Sequence, residues 1–178
     1  MTAPGYSARH VQSSLSPEVL ASVKGSKVAF IETGSHLGHG VEVALQCGFD
    51  FIYSVDESIS FYEHCKKRFY GNKKVFVFCG DSPVFLRTHL NLFTDQSVIY
   101  LDAHSEARNP LLEELSAIVD AVSVGHTILI DDVRMFGSLD WHGLAQSMVT
   151  TMLDEHGYAI TYADTPNGPN DLLVAQIL

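Results

Sequence analysis

Positive charge is scarce in this chain of 178 residues: eleven Lys and Arg stand against 21 Asp and Glu, a formal charge of -10 with a pI near 5.2. The cations form no sustained run beyond Lys66-Lys67-Arg68. Such a surface repels phosphate backbones and anionic headgroups, which excludes DNA, RNA and membrane as main partners. Long hydrophobic runs are also missing. No stretch reaches the roughly 20 apolar residues of a membrane span, and the polar start MTAPGYSARHVQSS has no signal-peptide core. Cysteine is limited to Cys47, Cys65 and Cys79, odd in number and without a C-x-x-C spacing, so they read as buried free thiols suited to a reducing cytoplasm. There is no internal repeat and no low-complexity segment. What is present is ordinary for a globular protein: with 46% hydrophobic and 18% charged residues, the chain can build one domain with a substantial core and little beside it.

The stretch Lys27 to Gly40, KVAFIETGSHLGHG, organises the remainder. Val28, Phe30 and Ile31 form an apolar run without polar alternation, the pattern of a strand covered on both faces, with Glu32 at its end. Gly34 and Gly38 then let the backbone turn sharply and approach a ligand closely. Val41, Ala44 and Leu45 recur at helical spacing, and the free N–H groups at that helix start face whatever lies over the turn.

Ahead of this unit, residues 1–15 read as a mobile arm. Ser16-Pro17-Glu18 starts a short helix, stopped at Gly25, that covers the sheet edge or caps a pocket. The expected division is thus an arm and short helix over 1–24 and a single domain over 25–178. Beyond the glycine turn, Phe49 to Asp56 reads as a second strand ending in an acid. A helix from Ser58 to Phe69 follows, with Ile59, Tyr62 and Phe69 inward and Lys66-Lys67-Arg68 as its solvated end. Lys74 to Cys79 is a third strand, closed by Gly80-Asp81-Ser82-Pro83 as turn, cap and helix start. A fourth strand from Ser97 ends in Asp102 and His104. Asn109-Pro110 opens a helix over Leu111 to Val122, and His126 to Asp132 is a fifth strand ending in two acids. A last helix, about Trp141 to His156, precedes two strands, Tyr158 to Asp164 and Asp171 to Leu178, joined by the turn-rich TPNGPN.

Glu32 running into Thr33-Gly34-Ser35-His36-Leu37-Gly38 resembles the first motif of the class I S-adenosylmethionine (SAM)-dependent methyltransferases. Five βα units, a helix and a terminal hairpin are similar to their order of elements, and the resemblance covers nearly everything after residue 25. It implies a Rossmann-like, doubly wound α/β sheet of five parallel βα units plus a C-terminal β-hairpin with an antiparallel last strand. It further implies SAM held by Glu32, Thr33, Gly34, Ser35, His36 and Gly38, with Asp56 on the ribose hydroxyls, Asp81 and Ser82 near the adenine, and Asp102 beside them. For Asp56 a helix cap or a solvated loop acid stays open as the alternative, and for Asp81 capping alone. An NAD-dependent enzyme is disfavoured by Glu32 and by the hairpin ending.

Asp102, Asp131 and Asp132 stand at the ends of neighbouring strands, where three carboxylates repel one another unless paired with Arg108 and Arg134 or with a hard divalent ion. L-D-A-H, the helix L-L-E-E-L and I-D-D-V together look like the catechol O-methyltransferase family and its sugar O-methyltransferase relatives. That likeness implies Mg²⁺ on Asp102, Asp131 and Asp132 and methyl transfer to an oxygen of a small-molecule acceptor. The likeness leaves the role of base to His104, with Asp102 as its catalytic companion; a loop histidine bonded to an acid stays open as the alternative. Two alternatives stand beside it: a metal-independent methyltransferase in which Asp102 and His104 orient the acceptor, and a non-catalytic module of the same fold that holds SAM, its product or a nucleotide. Whether the chain forms homo-oligomers is not legible in it.

Overall fold

The computed structural model describes residues 14–90, 97–105, 107–121 and 125–177. Its central strands are the unbroken apolar runs of the sequence. Ala29–Thr33 (β1), Ser97–Leu101 (β4) and Thr127–Ile130 (β5) are buried at every position, because helices cover both faces of a parallel sheet and leave no wet side for polar alternation. With Phe51–Asp56 (β2), Val75–Cys79 (β3), Tyr158–Thr165 (β6) and Gly168–Ile177 (β7), they form one seven-stranded sheet in the order β3-β2-β1-β4-β5-β7-β6. The first five strands run parallel, and β7 lies antiparallel between β5 and β6. This is the doubly wound arrangement expected from the sequence. The strand order reverses between β1 and β4, so a crevice opens at their carboxyl ends.

Among the described residues, six α-helices cover the sheet: Pro17–Lys24 (α1), His39–Gln46 (α2), Ile59–Arg68 (α3), Ser82–His89 (α4), Leu111–Val119 (α5) and Gln146–Glu155 (α6). One core cluster packs Ile31, Val55, Ile99 and Ile128 under Leu86, Leu115 and Val149 of α4, α5 and α6. The other packs Phe30, Ile52 and Leu129 under Leu20 of α1 and Val41 of α2. No helix of the described residues is long and apolar enough to cross a membrane.

Several local expectations change. Helix α1 is capped as read, Ser16 Oγ accepting from Val19 N at 3.2 Å, but it adds to the cluster on α2 rather than covering an edge strand. Residues 1–13 of the expected arm lie outside the described residues, while Ser14 and Leu15 at its end are buried instead of mobile. Ile59, expected inward, is 71% exposed, and the one fully buried residue of α3 is Cys65. Cys79 is exposed, since β3 is an edge strand with an open side, and Cys47, at the end of α2, is half-buried. Arg68 is anchored, donating to Leu37 O at 2.6 Å and pairing with Glu42 at 2.5 Å. The last helix begins at Gln146, not near Trp141: Leu139–Trp141 forms a 3₁₀ turn, and His142 and Gly143 follow with φ of +54° and +69°, conformations that stop a right-handed helix. The hairpin strands are longer than read, so Pro166-Asn167 alone makes the turn.

Candidate functional site

The glycine turn after β1 is seated on the protein itself. Gly34 N donates to Val55 O at 2.9 Å, and a Cβ on Gly34 would lie 2.6 Å from Asp102 O. Gly38 has a φ of +79°, and its Cβ would meet the Phe69 ring at 2.6 Å. The room these glycines leave is therefore filled by the backbone after β4 and by the end of α3. Glycine is thus required at both positions by the protein's own packing. A side chain on Gly40 would run into the Glu32 carboxyl, so α2 lies directly on that acid.

Glu32 is 2% exposed and accepts from the Ser54 hydroxyl at 2.6 Å, and Ser54 meets Ser35 Oγ at 2.6 Å. Burial pushes its carboxyl up to about 8, with Ser54 opposing and the Asp56 charge adding to the rise. Glu32 thus braces the turn from beneath. His36, in a left-handed conformation at φ +43°, donates its N–H to Asp56 Oδ2 at 2.9 Å and sets its ring 4.6 Å from that of Phe61. Asp56 Oδ1 takes the Ser58 N–H at 2.8 Å. Both oxygens are fixed this way, and burial lifts the carboxyl above its ordinary value. Each oxygen keeps a lone pair that can accept from a ligand hydroxyl.

Asp81 caps α4 by accepting from Val84 N at 3.1 Å and pairs with Arg108, whose other nitrogen reaches Glu113 at 2.6 Å. Burial alone would raise the Asp81 carboxyl; Arg108 and the Val84 N–H outweigh it and hold the group below its usual range. Ser82 and Thr33, both buried, lie beside Glu114 on α5, whose carboxyl burial pushes up to about 7. Among the described residues, Thr33 Oγ1 and Glu114 Oε1 nevertheless each lack a partner in hydrogen-bond geometry.

At the ends of β4 and β5 the acids are organised by a residue that the sequence alone did not single out. The buried Tyr100 phenol donates to Asp131 Oδ2 at 2.5 Å and lies 3.3 Å from Asp102 Oδ2. Tyr100 precedes Asp102 by two positions, and the period of a strand puts both on one face, which was the available signal. Asp131 also accepts the Asp132 N–H at 2.7 Å. Its carboxyl rises to about 6, chiefly through burial and then through the Asp132 charge, against the hydroxyls of Tyr100 and Ser14. Asp102 rises well above its ordinary value through burial, followed by the charges of Asp131 and Asp132. Asp132, at φ +57°, pairs with Arg134 at 2.7 Å. Arg134 also pairs with the buried Asp171 of β7, which accepts the Arg134 N–H and the Thr165 hydroxyl, each at 3.0 Å.

His104 stands between two of these acids, Nδ1 3.9 Å from Asp102 Oδ1 and Nε2 3.9 Å from Asp132 Oδ2. Those separations are too long for hydrogen bonds and suit charge attraction. Among the described residues, one oxygen or nitrogen from each of Asp102, His104 and Asp132 falls within 4.8 Å of the others, and so do oxygens of Asp131, Asp132 and Asp171. The sequence grouped Asp102, Asp131 and Asp132. The structure instead puts His104 in the set with Asp102 and Asp132 and turns Asp131 toward Tyr100. Two carboxylates and an imidazole form a donor set that fits a divalent cation.

No family model and no curated protein matches the chain. Solved structures do. An O-methyltransferase from Bacillus cereus in complex with SAH matches with a TM-score of 0.69 over 91% of this chain and 78% of its own, at 13% identity. This chain has the class I methyltransferase fold. A SAM-dependent methyltransferase from Aquifex aeolicus matches with a TM-score of 0.60 at 14% identity over 91% of this chain and 89% of its own. A putative O-methyltransferase from Nostoc punctiforme matches at 0.62 and 15%, over 90% and 55%. In the methyltransferase fold of this chain, Glu32, the glycine turn and Asp102 border the β1–β4 crevice, Asp56 closes one side of it, and His104 with Asp132 closes the other.

Proposed function

We propose that the chain is a SAM-dependent methyltransferase that acts on an oxygen of a small molecule. The observation that carries this reading is the joint placement, at successive strand ends of a methyltransferase fold, of the pinned Asp56 and of His104 between Asp102 and Asp132. SAM, when bound, supplies an electrophilic methyl group, its S–C bond breaking to leave SAH. The chain's part is to accept the ribose hydroxyls at Asp56, to present the first N–H groups of α2, and to remove the acceptor's proton. His104 is placed to take that proton on its imidazole. The flanking carboxylates stabilise the imidazolium.

A second reading is favoured by the close grouping of Asp102, His104 and Asp132. A divalent cation on these groups would lower the pKa of the acceptor hydroxyl. His104 is then a ligand and no longer the base, and the imidazole in the set favours Mn²⁺ over the Mg²⁺ expected from the sequence. The experiment is calorimetric titration with SAM, SAH and NAD, followed by transfer to a panel of diols and sugars with chelator, Mg²⁺ or Mn²⁺. Binding of SAM and SAH but not NAD, together with transfer, supports the proposal. Transfer undiminished in chelator and slowed about 10²–10⁴-fold in His104→Ala assigns the base role. Transfer that needs metal assigns the cation role. SAM binding without transfer to any acceptor assigns the non-catalytic module, and NAD binding without SAM refutes the proposal.

A further inference from the structure

Among the described residues, the buried Trp141 Nε1, Asn109 Nδ2 and Glu114 Oε1 have no partner in hydrogen-bond geometry, although the Ser82 and Thr33 hydroxyls lie near the Glu114 carboxyl. The three residues come from separate elements: the 3₁₀ turn before α6, the loop after β4, and α5. All three line one cavity of about 10 Å³, whose wall also includes Asp102 and His104. Trp141 is 4% exposed and Glu114 1%. Buried polar atoms are almost always partnered, so three residues that line one small space and each carry an unpartnered atom point to an occupant.

The chemistry of the three atoms narrows what that occupant is. Two are N–H donors and the third is a carboxylate oxygen. With Glu114 ionised, an ammonium would face two N–H groups, and a carbonyl or carboxylate oxygen would face Glu114 with nothing to donate. An O–H oxygen accepts from Trp141 and Asn109 and donates to Glu114. The volume matches the roughly 10–15 Å³ that one water needs. We infer that the floor beneath Asp102 and His104 is a binding site for a single hydroxyl oxygen, joining the loop after β4 to α5 and to the turn before α6. Its source is water or the hydroxyl of a small ligand. By tying Asn109 to two rigid elements, the oxygen steadies the loop that carries His104, whose ring centre lies 6.0 Å from that of Trp141. The inference does not depend on methyl transfer.

A high-resolution crystal structure at alkaline pH, where Glu114 is ionised, tests it, with one crystal soaked in glycerol as the hydroxyl probe. One oxygen within hydrogen-bond distance of all three atoms is expected. A glycerol hydroxyl there makes the source a ligand, and an unchanged water makes it solvent. A dry cavity, or the three atoms paired with protein groups, overturns the inference. Trp141→Phe keeps the ring packing on Phe136 and deletes one donor. Amide exchange at Asp102 and Ser105, which flank Ala103 and His104 and donate to Thr33 O and Arg108 O, should then accelerate about tenfold, the worth of one hydrogen bond. Exchange as slow as in the wild type overturns the bracing role. If Trp141→Phe does not fold, Asn109→Leu removes the donor on the loop side and is read the same way.

Discussion

Replacing Tyr100 by Phe removes one oxygen from beneath the acid cluster and leaves the ring in place, 6.4 Å from that of Phe30. The lost phenol donates at 2.5 Å to Asp131, which is 3% exposed and has few substitutes for it. A hydrogen bond to a charged, buried group contributes about 1.5–3 kcal/mol, which for a domain of this size lowers Tm by about 3–12 °C. The loss has a pH signature. The Asp131 carboxyl titrates at about 6 in the folded protein against 3.8 as its ordinary value. A carboxyl raised on folding keeps its proton longer in the native state, so stability falls as pH rises between those two values and then levels off. The phenol is one of the groups holding that carboxyl down, so Tyr100→Phe moves the upper limit of the window toward neutrality. Urea denaturation across a pH series should show a deficit that is small in acid, where Asp131 is protonated in both states, and full above neutral pH. A deficit of equal size at both ends, or none at neutral pH, would refute the assignment of Tyr100 as the donor that makes a buried Asp131 anion tolerable.

Gly34→Ala places a methyl group 2.6 Å from Asp102 O at a φ of +83°; a stability loss of about 2–4 kcal/mol in denaturant titration is expected, and an unaffected protein would mean the turn is not seated on β4. Glu32→Gln should remove the decline in stability between pH 4.5 and about 8 that a buried acid raised to that value imposes; wild-type and variant curves that stay parallel there would count against it. His126 is buried, accepts the Ser97 N–H on Nδ1 at 3.1 Å, and is held below its ordinary 6.5 by burial and then by Lys27. A histidine depressed on folding loses its contribution as pH falls from about 6.5 toward the folded value, so His126→Gln should flatten that acid slope, which calorimetric melting can follow.

The parts of the fold most legible in the sequence are those where both sides of an element have the same surroundings. β1, β4 and β5 are covered on both faces, so an apolar run suffices to read them, and the acids that follow each run mark the carboxyl edge. Ile59 and Cys79 misled because their apolar character is real and their surroundings are not symmetric: α3 and β3 lie at the rim, where side chains find no second layer. The start of α6 was misplaced because helical periodicity around Trp141 says nothing of the left-handed His142 and Gly143. At the site, the acids were visible as strand ends and Arg134 as one of their cations, which pairs with Asp132, but Tyr100 and Asp171 were not visible as partners. Arg134 and Asp171 are 37 positions apart, and Asn109, Glu114 and Trp141 meet only through tertiary structure. A tyrosine inside an apolar run reads as core until its phenol is seen between two carboxylates.

β7 is the last strand in chain order but not the last in the sheet, since it slots between β5 and β6. On the ribosome, the edge of β5 therefore stays open after Ile130 has emerged and waits for Leu173, Val174 and Ala175, its partners in the register. At the roughly 5–20 residues per second of synthesis, that delay lasts about 2–10 s. Throughout it, four residues destined for full burial present an unpaired apolar strand to every other nascent chain nearby. The place of β7 in the chain thus fixes an interval in which the edge of β5 is open to pairing with another chain.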